Sequence, residues 1–164
     1  MFQIDINRII HEKKFGPVKL GQSKESVNCL LGSPDTYFNP KIIDGFLYGG
    51  FEFKFSENEL VIISNSHVTN QNGIVCEEFF YQNNHFEILS WGNKKKSTLN
   101  LSCFKNALHK ERVEFSESLF WDSIRIDIGE ELYFLFASPE MYHQKISEWP
   151  TPRFDAAKIN LCGF

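Results

Sequence analysis

Long apolar runs are missing from this chain. The longest, such as Leu132 to Ala137, span about half a dozen residues, far short of the ~20 that cross a bilayer, so no membrane-spanning helix is expected. Positive charge is also short: 17 Lys and Arg stand against 21 Asp and Glu, a formal net charge of −4 with a pI near 5.7. That balance gives no general attraction to nucleic acid or anionic lipid and suits a basic partner better than an acidic one. Cysteine is sparse and scattered, at Cys29, Cys76, Cys103 and Cys162, with no Cys-x-x-Cys pair. These read as free thiols, mostly buried. The first residues, Met1 to Arg8, lack a basic stretch followed by an apolar one, so no secretory signal is read and the expected location is the cytoplasm.

What is abundant is core material. Hydrophobic residues make up 42% of the 164, with 17 Phe among them, and 23% are charged. This composition fits one folded domain over residues 1–164 and argues against disorder.

The hydrophobic pattern then sorts the chain into elements. Ile6, Ile9 and Ile10 predict a short amphipathic helix that ends before Gly16-Pro17, and Val18 to Gly21 reads as a short strand or extended lead-in. Ser23 is the expected cap of a helix over 24–31, stopped by Gly32 and Pro34, and 35–44 reads as a connecting loop. Phe51, Phe53 and Phe55 alternate with Glu52 and Lys54 and turn through Ser56 to Asn58 into Glu59 to Ile63, an antiparallel hairpin. Strands over 74–81 and 85–91 would extend it to a meander. A second helix, capped by Ser97 or Thr98 and carrying Leu99, Cys103, Phe104, Ala107 and Leu108, should end near Lys110. Strands then start at Val113 and run over 122–128 and 131–137.

Phe51 to Ile63 matches Ile124 to Leu135 in pattern at an offset of about 72, and the helices recur at a similar offset, which suggests an internal duplication. The expected class is α+β: antiparallel sheet or sheets with helices packed on one face, as two tandem helix-plus-meander units. The pseudo-repeats would cover 15–91 and 97–137, with 138–164 a wrapping tail anchored by Tyr142, Trp149 and Phe154.

Chemistry-bearing motifs are weak. No Gly-x-Ser-x-Gly turn occurs, and the glycines of Gly16 to Gly21 lack either nucleotide-binding spacing. Lys94 to Lys96 stands alone in an acidic chain and reads as a solvated loop. The alternating Phe residues fit a core better than a base-stacking platform. His85 and Glu87 alternate on one strand, with Cys76 on a candidate neighbour, a zinc-ligand set without the usual spacing. The bland reading prevails, and no catalytic residue, metal or cofactor is assigned.

The outward faces of the two hairpins are the better candidate. Glu52, Lys54, Arg125, Asp127 and Tyr133 alternate with apolar residues and would project away from the helices. From Glu111 to Glu131 seven acids (Glu111, Glu114, Glu117, Asp122, Asp127, Glu130, Glu131) face two bases, Arg112 and Arg125. Phe120 and Trp121 lie among them, and an aromatic anchor ringed by acids suits a basic protein surface. A solubilising surface over a buried Trp is the competing reading. The candidate contact set is Glu52, Lys54, Glu117, Trp121, Asp122, Arg125, Asp127, Glu130, Glu131 and Tyr133.

Phe15 to Val27, then Leu30-Leu31-Gly32-Ser33-Pro34, and Tyr48-Gly49 ahead of Phe51 to Phe55, carry a resemblance. This part resembles small bacterial immunity proteins of polymorphic or contact-dependent toxin systems. The capped helix followed by a hairpin is also similar to the repeat unit of the beta-lactamase inhibitor protein and to the small lipoprotein of the outer-membrane barrel-assembly machinery. The likeness covers residues 15 to about 63 directly and the second half by pattern. It implies a protein that occludes a cognate toxin, whose contact surface is basic where that toxin is a nuclease. Two other classes stay open from the residues alone: a small-molecule or peptide-binding module, and a metal-dependent enzyme using His85, Glu87 and Cys76.

Overall fold

Asp5 ends the first strand and begins the first helix, and its dual role sets the N-terminal geometry. In the computed structural model, which describes residues 1–38, 44–65, 68, 80–89, 100–120, 123–137 and 156–162, β1 (Phe2–Asp5) leads directly into α1 (Ile6–Glu12). Asp5 Oδ1 accepts from the Arg8 N–H (2.7 Å), and Lys13, left-handed at φ 53°, closes the helix. Helix α2 (Lys24–Leu31) matches the expectation: Ser23 Oγ accepts from Ser26 N (3.2 Å), and Gly32 at φ 82° stops it. The lead-in before it is neither a strand nor an extended run: it turns at Leu20-Gly21, with Gly21 at φ 82°, and Gly21 N donates to Leu60 O (2.8 Å).

The remaining strands are β2 (Thr36–Phe38), β3 (Asp44–Tyr48), β4 (Phe51–Ser56), β5 (Glu59–Asn65), β6 (Phe86–Leu89), β7 (Ser116–Phe120), β8 (Ser123–Ile128), β9 (Leu132–Ala137) and β10 (Ala156–Cys162); α3 is Leu101–Lys110. Eight of these strands form one sheet, antiparallel throughout, in the order β2-β3-β4-β5-β10-β9-β8-β7. The class is therefore α+β, built on an antiparallel sheet.

Several expectations are corrected. The segment 35–44, expected to be a connecting loop, contains an edge strand, β2, and the first residue of β3, Asp44, while 39–43 lie outside the described residues. β6 does not extend the first meander but pairs in parallel with β1, Phe2 opposite Phe86. Alternation shows which residues of a strand are buried, here Phe86 and Ile88, but does not name its partner. Asn100, not Ser97 or Thr98, caps α3, its Oδ1 accepting from Cys103 N (2.9 Å); residues 97–99 lie outside the described residues, as do 74–79, 90–91 and 138–155. The strand expected from Val113 begins at Ser116. The last part of the expected wrapping tail is β10, in the middle of the sheet: without it β5 and β9 would each expose a row of backbone donors and acceptors. Two of the four thiols, Cys29 and Cys103, are exposed rather than buried; Cys76 lies outside the described residues.

The two helix-plus-strand units align at a different offset from the one expected. α2-β2-β3-β4-β5 and α3-β7-β8-β9-β10 are each a helix followed by four meandering strands, and the two units meet along β5 and β10. This equates Tyr48-Gly49 with Ile128-Gly129, 80 apart, and Phe53 and Phe55 with Phe134 and Phe136, 81 apart, instead of the offset near 72. Both glycines turn with positive φ, 56° and 67°.

Cross-strand register places Phe46, Phe53, Ile63, Leu132 and Ile128 in one row and Tyr48, Phe51, Phe134 and Ile126 in the next, all buried on one face. Against that face pack Val27 and Leu31 of α2, Phe104 and Leu108 of α3, and Ile9, Ile10 and Phe15. Phe104 meets Phe134 at 4.4 Å and Phe136 at 5.2 Å between ring centres, and the Tyr48 hydroxyl donates to Gly32 O (2.6 Å). Lys24 of α2 lies over the Phe55 ring and pairs with Asp44.

Candidate protein-binding face

Because side chains alternate along a strand, the register that buries the phenylalanines fixes what lies opposite. On the far face one row runs Leu47, Glu52, Ser64 on β3 to β5 and Tyr133, Asp127, Ser116 on β9 to β7. Lys54 with Ile62, and Leu135 with Arg125 and Ser118, occupy flanking rows. The described helices and the β1–β6 pair contribute to the core on the other face, and among the described residues no helix covers this one.

The charges here are paired and held. Lys54 Nζ lies 2.7 Å from Glu52 Oε2, and Ser64 Oγ donates to the same oxygen at 3.5 Å. Arg125 Nε and Nη2 both lie 2.6 Å from Asp127 Oδ1, with the Arg125 and Asp127 side chains 25% and 24% exposed. The Arg125 guanidinium lies 4.2 Å from the centre of the Tyr133 ring and 5.9 Å from that of Phe120. Tyr133 is directly opposite Asp127, so Arg125 reaches it along the diagonal of the ladder.

The structure brings Glu52, Lys54, Arg125, Asp127 and Tyr133 onto one face. It does not bring the acidic stretch there as a unit. Glu117 is opposite Ile126, on the helix-bearing face, where its Oε2 takes the Lys105 ammonium of α3 at 2.5 Å. The reason is parity: Glu117 and Asp127 are in register with residues of opposite faces. Glu130 and Glu131 are exposed in the β8–β9 turn, and Trp121 and Asp122 lie outside the described residues. Ser64 was missed, although its alternation with Ile63 in the strand pattern could have found it.

Of the zinc-ligand set, Cys76 lies outside the described residues, and only His85 and Glu87 are placed. Glu87 Oε1 accepts from Gln3 Nε2 (2.5 Å), and the His85 ring packs so closely on Gly32 that a Cβ there would lie 2.6 Å from it. Among the described residues no group of three or more His, Cys, Asp or Glu could hold a metal ion, and no helix is long and apolar enough to cross a membrane.

Behind the sheet, the buried Tyr48 phenol and the half-buried Tyr81 phenol tie the end of α2 and Asp35 to the β3–β4 strands and turn. Tyr81 donates to Asp35 Oδ1 (3.0 Å) while Gly49 N donates to Asp35 Oδ2 (2.8 Å). Burial, with the neighbouring Tyr37, Tyr81 and Asp35 charges adding to it, pushes the Tyr48 phenol far above its ordinary value. Comparison with family models, with curated proteins and with solved structures gives no match.

Proposed function

We propose that this chain is an immunity protein that binds and neutralises a cognate bacterial toxin domain by steric occlusion in the cytoplasm of the producing cell. The observation that carries this reading is the sheet face opposite the described helices, with Arg125 fixed between Asp127 and Tyr133. Arg and Tyr are enriched among residues that dominate protein interfaces, and a side chain already held in place loses less freedom on binding. The resemblance of residues 15 to about 63 to immunity proteins supports the same class. The net charge of −4 favours a basic contact surface and steers its approach.

Co-expression with the reading frame immediately upstream tests this directly. The expected result is survival of a host that the neighbour alone kills, and co-purification of a one-to-one complex whose association slows as salt rises. Arg125→Glu and Tyr133→Ala should each weaken that complex at least tenfold, in keeping with the ~2 kcal/mol or more of a central anchor. A harmless neighbour with no complex would overturn the proposal and turn attention to low-mass ligands.

A further inference from the structure

The turn that ends α3 sets an arginine where the backbone favours glycine. Val113 N donates to Leu108 O (2.9 Å) across the end of the helix, and Arg112, inside that loop, is left-handed at φ 55°. A residue without a Cβ adopts that conformation most readily, so the arginine side chain is carried there against the local preference. Beside it opens a cleft of about 540 Å³ lined by His109, Arg112, Val113, Glu114 and Phe115, a volume in the range of small-molecule sites. Val113 and Phe115 are half-buried and pack against the core, which gives the cleft an apolar wall. The His109 ring leans on that of Phe115, with centres 5.2 Å apart. Arg112 and Glu114 are exposed on the cleft, and among the described residues neither charge is paired, with the other or with a third group.

We propose that this cleft binds a free α-amino acid with an apolar side chain. Such a molecule carries an ammonium and a carboxylate on one carbon, and the cleft offers one unpaired anion and one unpaired cation two residues apart. The ligand carboxylate goes to the Arg112 guanidinium, which can hold both of its oxygens, and the ammonium goes to Glu114. The ligand side chain then lies on Phe115 and Val113, against the His109 ring. A ligand with a single charge would gain one of these ion pairs and be repelled by the other group. The proposal stands apart from the toxin reading, since it uses none of the residues of the Arg125–Tyr133 face.

Both charges are exposed, so each ion pair adds little and the affinity should be roughly millimolar. The test is an NMR titration of the full chain with L-phenylalanine and with L-leucine, following the His109 imidazole signals. Saturable shifts with at least one of the two are expected. Phenylpropionate, which has only the carboxylate, phenethylamine, which has only the ammonium, and glycine, which has no side chain, should each bind at least tenfold more weakly. Arg112→Gly keeps the left-handed turn, so it should match or exceed the unaltered chain in thermal stability yet bind at least tenfold more weakly. Glu114→Gln, at an exposed position, should weaken binding to a similar degree without touching the turn. No saturable shift with either amino acid, single-charge analogues or glycine that bind equally well, or variants that bind as the unaltered chain does would each overturn the proposal.

Discussion

Phe104 of α3 and Phe134 of β9 meet with ring centres 4.4 Å apart, both fully buried. This contact, with Phe136 beside it, seats α3 on its half of the sheet. Truncating Phe104 removes a large apolar side chain from a packed interior and leaves a cavity that its neighbours fill only partly. Phe104→Ala should therefore cost about 3–5 kcal/mol. Urea unfolding followed by circular dichroism measures it, and a loss under about 1 kcal/mol would mean that α3 is not held by this contact.

Gly45 has a different constraint. A Cβ there would lie 2.3 Å from the Phe53 carbonyl oxygen and 2.4 Å from the Phe38 ring. Phe38, directly opposite on β2, covers the position that glycine leaves open. Gly45→Ala must push either the β4 backbone or the Phe38 ring away, so a loss of about 1–3 kcal/mol is expected in thermal or urea unfolding. In the double variant Gly45→Ala with Phe38→Ala the ring clash is gone but the carbonyl clash stays, so recovery should be partial.

These two residues also show what the sequence makes legible. Phe104 falls on the helical stripe and Phe134 on a strict alternation, so their burial is readable from spacing alone. The same alternation placed Glu52, Lys54, Arg125, Asp127 and Tyr133 together on one face. Gly45 is opaque, because its need for glycine comes from Phe38 and Phe53, residues brought beside it by pairing. Pairing likewise hid the parallel β1–β6 partner, the central position of β10 and the side on which Glu117 emerges. Ile159 and Leu161 do alternate with Lys158 and Asn160, yet a strand pattern carries no record of its neighbours.

The β4–β5 turn stores a local strain that a substitution can release. Glu57 and Asn58 both have positive φ, 50° and 68°, the pair of left-handed residues that a two-residue hairpin turn requires. Asn tolerates that region, and Asn58 also ties the turn to α2, its Nδ2 donating to Glu25 Oε2 (3.2 Å). Glu57 has no such preference and is exposed. Glu57→Asn should raise stability by about 0.5–1 kcal/mol, whereas Asn58→Ala should lower it by a similar amount. Midpoints that move the other way would show that another turn geometry is populated.

Tyr48 gives the chain a defined alkaline limit. Its phenol, buried and donating to Gly32 O, is held protonated well above the ordinary value of 10.0. The unfolded chain loses that proton near 10 while the folded chain keeps it, so the unfolded state gains relative to the folded one as pH rises. The stabilisation is complete below pH 10 and is lost progressively toward the folded value, with a limiting slope of about 1.4 kcal/mol per pH unit for one group. Tyr81, raised by burial and then by its hydrogen bond to Asp35, adds in the same direction. Tyr48→Phe should be less stable near pH 7 by about 1 kcal/mol, since the Gly32 carbonyl loses its donor. Its stability should fall less steeply above about pH 10, so that the two curves converge. Urea unfolding at stepped pH reads both effects at once, and parallel curves would show that Tyr48 ionises as readily in the folded chain as in the unfolded one.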